Sequence, residues 1–246
     1  MAHQAGPLRF KGKLGGLSFY HNKQYGYLVR EKGGPNKEQI ATSPVFARTR
    51  ENAAEFALAS STGKLIRQAV RASTGLDGDP NVSQRFMGLL VRIGKHDLSS
   101  IRGMRNPVRV FDEAASRALL RSFAFYAIRP VTSVYTGQID CDITAGTITF
   151  AGLISRKSFR APKAATHVRI KAAIAVLDFE NNTYMICPSP VYIAQLAHTM
   201  PTADFTFNLQ SVGTGSRIGI VAIEFLQEKN EELYVLTEGV SLGIMG

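Results

Sequence analysis

The segments AAIAVLDF (residues 172–179) and IGIVAIEF (residues 218–225) are apolar at almost every position. A strand points successive side chains to opposite faces, so a half-buried strand alternates apolar with polar residues, whereas these two runs supply apolar side chains to both faces. They are therefore expected at the middle of a sheet, with further strands at their sides. Such strands are present in the flanking sequence. From Val131 the hydrophobic period is two: GQIDCDITAGTITFAGLI (137–154) sets Ile139, Cys141 and Ile143 against Gln138, Asp140 and Asp142, and THVRIKAAIAVLDF, NTYMIC, FTFNLQSV, SRIGIVAIEFL and ELYVLTEGVSLGIM follow. Turn residues fall at Asn181–Asn182, Gly213–Ser216 and Lys229–Glu231. Short strands at this spacing predict an antiparallel β-sandwich over residues 130–246, immunoglobulin-like or jelly-roll in style.

Upstream of Pro130 the period is helical. Ser43 and Pro44 mark a helix start, and Val45, Phe46, Thr49, Ala53, Phe56 and Ala57, then Leu65, Ile66, Ala69 and Val70, form an apolar stripe with a break expected near Ser60–Gly63. The turn cluster GLDGDP (75–80) precedes a second helix, capped by Asn81 and carrying Phe86, Leu89, Leu90 and Ile93. A third is expected from Pro107 to Ala127. Further upstream, LSFYHN (17–22) and YGYLVRE (25–31) flank Lys23 and Gln24 and read as a β-hairpin bounded by glycines. The chain is thus expected to be α+β, with a β-hairpin arm at 1–35, a basic helical domain at 36–129 and the sandwich at 130–246.

With 246 residues and 45% hydrophobic composition the chain can bury a substantial core. It has no run of eighteen apolar residues, and its first thirty residues lack the apolar block of a secretory signal. The two cysteines, Cys141 and Cys187, lie in strand-like segments and read as small buried hydrophobes, which suits a cytoplasmic protein with no membrane partner. Charge is unevenly distributed. Residues 1–129 hold 21 Lys and Arg against 9 Asp and Glu, a net +12, while residues 130–246 hold 8 against 10, a net −2. Such a division suits head-to-tail packing of copies, or binding of a polyanion by the basic half.

No motif specifies catalysis. SSTGKL (60–65) lacks the first glycine and the hydroxyl residue of a phosphate-binding loop, and VGTGSR (212–217) joins two predicted strands and reads as a hairpin turn. The five histidines show no metal-ligand spacing, and Asp140 and Asp142 read as a solvated strand face. No cofactor, metal or enzymatic activity is therefore expected. The polyanion alternative rests on Arg48, Arg50, Arg67, Arg71, Arg85, Arg92, Arg102 and Arg105, with Arg109, and on Tyr20, Tyr25 and Tyr27 as stacking groups. It would make the chain an architectural or packaging protein on nucleic acid.

The runs KGKLGGLSFYHNKQYGYLVREKGG (11–34), SPVFARTRENAAEFALAS (43–60) and GKLIR (63–67), with ATHVRIKAAIAVLDFE (165–180) and VAIEFLQEKNEELYVL (221–236), resemble a family of uncharacterised bacterial proteins common in Bacteroidota. The resemblance spans nearly the whole chain and implies a cytoplasmic bacterial origin. It brings no activity with it. Together, the arm, the sandwich, the divided charge and the lack of a catalytic constellation lead to the expectation of a self-assembling structural protein, forming a filament, tube or shell. In that reading Phe19, Tyr20, Tyr25 and Tyr27 make the arm adhesive, and its lysines meet Glu228, Glu231 and Glu232 of a neighbouring copy.

Overall fold

The computed structural model describes residues 2–31, 33–151, 155–197, 199–209 and 213–246, and the fold is α+β. The chain forms two units, Met1–Glu51 and Asn52–Gly246.

The first unit contains four short strands, β1 (Ala2–His3), β2 (Gly12–Leu14), β3 (Leu17–Asn22) and β4 (Gly26–Glu31), and a short helix α1 (Lys37–Thr42). The expected hairpin is β3–β4. Its turn is fixed by the Asn22 carboxamide oxygen, which accepts from the amides of Gln24 and Tyr25 at 2.8 and 3.1 Å, and by Gly26 at φ 73°. The hairpin is the centre of a larger sheet, of order β1-β4-β3-β2. The added strands of two and three residues are too short to show a period. Helix α1 begins with a reciprocal cap, in which Asn36 accepts from the Gln39 amide at 2.7 Å and the Gln39 side chain accepts from the Asn36 amide at 2.9 Å.

The expected helix beginning at Pro44 is a single 3₁₀ turn, Pro44–Phe46, leading into α2 (Ala47–Thr74). That helix is unbroken through Ser60–Gly63, because Ser61 and Thr62 return their hydroxyls to the Leu58 carbonyl and Gly63 lies against Leu90 and Phe86. Its buried residues begin only at Ala59, whereas Val45 and Phe56 of the expected stripe are exposed. Helix α3 (Val82–Gly94) follows the expected pattern, except that Asn81 makes no side-chain cap. Asp79 does the work there, accepting from the Asn81 amide and pairing with Arg85 at 2.6 Å. The third helix, α4 (Ala114–Arg121), is much shorter than expected. Val110 and Phe111 enter the core from turns before it, and Phe125 is buried after it with its ring 5.7 Å from that of Phe86.

After the one-turn helix α5 (Val131–Val134) come β5 (Ile139–Asp142), β6 (Thr147–Phe150), β7 (His167–Asp178), β8 (Thr183–Pro188), β9 (Tyr192–Gln195), β10 (Asp204–Thr206), β11 (Ser216–Lys229), β12 (Glu232–Val235) and β13 (Ser241–Met245). The apolar runs at 172–179 and 218–225 lie in β7 and β11, paired antiparallel from Ser216↔Leu177 to Leu226↔His167. β8 and β9 share the outer side of β7, and β12 and β13 share that of β11. A second sheet, β10-β6-β5, faces this one. VGTGSR is accordingly not a hairpin turn: β10 and β11 belong to different sheets, and Val212 lies outside the described residues.

Both faces of the β7–β11 ribbon are buried. Ala175, Leu177, Ile218, Ile220 and Ala222 pack with Ile66, Val70, Phe86, Leu90 and Phe111, whereas Val168, Ile170, Ile174, Val221, Ile223 and Phe225 pack with Ile148, Phe150 and Phe205. Two sheets therefore enclose one core, as in a sandwich, and helices close the outer face of the larger sheet. The change of period at Pro130 falls within this arrangement, because helices from residues 52–129 share the first cluster with β7, β11 and β13.

Asp97, fully buried, anchors the turn after α3 by accepting from the Ser99 hydroxyl at 2.6 Å and from the amides of Ser100 and Asn106 at 3.1 and 3.0 Å. Burial pushes its carboxyl up, but these hydrogen bonds together outweigh burial and hold it well below the usual carboxylate range. A folded pKa below the unfolded one stabilises the fold at neutral pH, and that contribution is lost as pH falls below about 4. Asp97→Asn is expected to cost about 2 kcal/mol at pH 7, with the gap to the parent narrowing in urea unfolding repeated at pH 3.

Candidate functional site

Residues directly opposed in an antiparallel pair share a face, so the register of the N-terminal sheet assigns its side chains. Leu14, Leu17, Phe19, His21, Tyr27, Val29 and Glu31 lie on one face; Lys13, Ser18, Tyr20, Leu28 and Arg30 lie on the other. The four aromatic residues expected to act together are thus divided. Phe19 and Tyr27 share the first face, Tyr20 is on the second under the Arg30 guanidinium, 5.5 Å from its ring, and Tyr25 is in the turn and exposed. Arg9 and Lys11 lie over the Tyr27 ring at 5.1 and 5.7 Å. Leu28 is the one buried residue among those described in the first unit. Phe10, Leu14 and Leu17 are 56%, 73% and 40% exposed. Among the described residues strand β2 is also an edge, paired on one side only.

The three glutamates singled out in the sequence surround the β11–β12 turn of the second unit. Asn230 and Glu231 occupy this turn with φ of 54° and 66°, the left-handed pair of a two-residue hairpin. Glu228 lies 3.8 Å from the His167 ring, and Glu232 accepts from the Tyr234 hydroxyl, which pushes that phenol up. All three glutamates are exposed. Strand β12 is a sheet edge, and its Leu233, Tyr234 and Val235 are exposed. The sequence pattern ELYV conveys a strand, but not that it lies at the edge.

The eight arginines proposed for polyanion binding are mostly engaged within the chain. Arg48 pairs with Glu51 at 3.1 Å, and Arg50 donates to the carbonyls of Ile40 and Ser43. Arg67 bonds the Gly63 carbonyl and the Ser83 hydroxyl, Arg71 pairs with Asp77 at 3.4 Å, and Arg102 donates to Asn52. Arg85 is held by Asp79 and by the carbonyls of Ala124 and Phe125. Arg92 is exposed, and the Arg105 Nε is buried without a hydrogen-bond partner. Six of the eight therefore fasten loops and helix ends.

Asp140 and Asp142 face solvent, and Asp142 serves the β5–β6 turn by accepting from the amides of Thr144 and Ala145. Cys141 and Cys187 are free thiols, both half-buried and both pushed up by burial, Cys141 to about 11. Among the described residues no cluster of His, Cys, Asp or Glu has the geometry to hold a metal, and no helix is long and apolar enough to cross a membrane. No protein-family model, curated protein or solved structure matches the chain.

Proposed function

We propose that the chain is a self-assembling structural protein in which the N-terminal sheet of one copy joins the β12 edge of the next. The observation that carries this reading is the burial of the first unit: a four-stranded sheet with one buried residue among those described, and with Phe10, Leu14 and Leu17 at its surface. A sheet of this size needs apolar cover to be stable, and a second copy supplies it. Charge favours the same pairing. Residues 1–51 contain nine Lys and Arg against three Asp and Glu, while residues 228–238 contain four Glu against one Lys. Strand addition at β12 gives main-chain hydrogen bonds, and Leu233 and Val235, which share a face of that strand, extend the apolar face. Because the two patches differ, the contact is heterologous, and it propagates as a ring or filament.

The test is light scattering and negative-stain microscopy of the protein, with and without nuclease treatment, at low and high salt. Large particles at low salt are expected, with dissociation as salt screens the contact. A monodisperse monomer throughout would overturn the proposal, and particles that vanish with nuclease would transfer it to nucleic acid. Reversing Glu228 and Glu232 to Lys is expected to raise the concentration needed for assembly about tenfold or more. Glu231→Gly removes a further charge while easing the left-handed backbone, so it is expected to weaken assembly without loss of stability.

A further inference from the structure

An open groove of about 880 Å³ in the second unit is lined by Asp112, Arg117, Arg121, Thr144, Ser216 and Arg217, among others. Its charges are not balanced. Arg117 is fully occupied: it is paired with Asp112, donates to the carbonyls of Arg217 and Gly246, and lies 5.2 Å from the Phe111 ring centre. Asp112 is occupied as well, since its second oxygen accepts from the Ser216 hydroxyl at 2.8 Å. The guanidiniums of Arg121 and Arg217 remain without an acidic partner among the described residues, where the Arg217 side chain makes only a long 3.5 Å contact to the Ile143 carbonyl. Two uncompensated guanidiniums lining one groove make it favourable for an anion, which can take up their planar donor forks.

A second cavity, of about 490 Å³, shares Arg121, Ser122 and Gly246 with the first. Apart from Thr132 its other walls are apolar, among them Phe123, Val131, Ile139, Cys141 and Met245. With its thiol pushed up to about 11 by burial, Cys141 is neutral at physiological pH and acts as apolar wall. Both volumes lie within the range of small-molecule sites. The order of chemistry along the groove, cationic and then apolar, defines the occupant. A bare inorganic anion leaves the apolar cavity unused, and a neutral lipid leaves the arginines unpaired.

We infer that this groove binds a small amphipathic anion, with a carboxylate or phosphate head between Arg121 and Arg217 and an apolar chain in the cavity beside Cys141. The inference is independent of assembly. Calorimetry on the full chain with decanoate, decyl phosphate, methyl decanoate and inorganic phosphate tests it. Saturable binding is expected for decanoate or decyl phosphate, and the stronger of the two identifies the head group. Inorganic phosphate is expected to bind at least about tenfold more weakly than that ligand, and methyl decanoate not measurably. Arg121→Gln, at the exposed end of α4, and Arg217→Gln should each weaken binding about tenfold. Lack of saturable heat from both anions, equal binding of the methyl ester or of inorganic phosphate, or unchanged affinity in both variants would overturn the assignment.

Discussion

Deletion of residues 2–34 is expected to abolish assembly while leaving the second unit folded. The two halves of this expectation have separate grounds. The second unit, residues 52–246, contains both hydrophobic clusters, and no residue of 2–34 belongs to either. Removing the N-terminal sheet takes away Leu28 as its only fully buried described side chain, with Phe19, Tyr20, Tyr27 and Val29 half-buried, so the lost apolar burial is small beside that of a second unit that buries dozens of apolar side chains. Cooperative unfolding of the truncated chain should therefore stay close to that of the parent. Assembly is different, because the deleted segment supplies β2, the apolar face and most of the positive charge of residues 1–51. Sedimentation velocity should show the truncated chain as a monomer at concentrations where the parent forms large species. The same particles from the truncated chain would refute the proposed contact, and a truncated chain that aggregates without cooperative unfolding would show that the sheet is instead needed for folding.

The elements legible in the sequence are those whose own residues enforce them. β7 and β11 are apolar on both faces, and the structure buries both faces. The turns at Asn182 and Asn230 carry residues that tolerate the left-handed conformation, and both adopt it. What the sequence misrepresents is set by tertiary partners. The segment from Pro107 to Ala127 has a helical apolar pattern, but Phe111, Leu120 and Phe125 reach one core from turn, helix and bend, and the packing of Phe125 on Phe86 is a tertiary contact of the kind that overrides helix propensity. The apolar residues at the start of the α2 stripe look like core and are exposed, since periodicity shows which residues share a face and not whether anything covers it. The run of arginines is ambiguous as a pattern for a related reason: a guanidinium that closes a loop and one that awaits an anion are the same letter. Arg117 and Arg217 stand 100 residues apart, and only the packing of α4 on the sheet brings them to one groove.

Glu224→Ala is expected to be among the most damaging single substitutions in the second unit. Residue 224 lies on the helix-facing side of β11, opposite Arg169 in the register, between the stretch paired with β13 and the stretch paired with β12. Its carboxylate is buried and accepts from Arg169 at 2.7 Å and from Lys171 at 3.2 Å. Lys171 also donates to the Thr74 carbonyl at 2.7 Å, placing a cation at the C-terminus of α2, where the helix dipole favours it and where Gly75 turns the chain at φ 76°. The ion cluster thus ties the sheet to the end of the longest helix. Removal of the acid leaves two cations side by side without a counter-charge, and breaking a buried pair in this way costs about 3–5 kcal/mol. Arg169 and Lys171 retain about a quarter of their side-chain exposure, so water recovers part of the loss and the lower end, about 3 kcal/mol, is expected. For a chain of this length that corresponds to a fall in Tm of roughly 6–12 °C. Lys171→Met removes the cation but keeps the stem and should cost less. Because the two residues touch, the double variant should be less damaged than the sum of the singles, a coupling readable in a double-mutant cycle by urea unfolding. Additive losses, or a Glu224→Ala chain within about 1 kcal/mol of the parent, would show that the cluster is a solvated surface pairing and not a joint between sheet and helix.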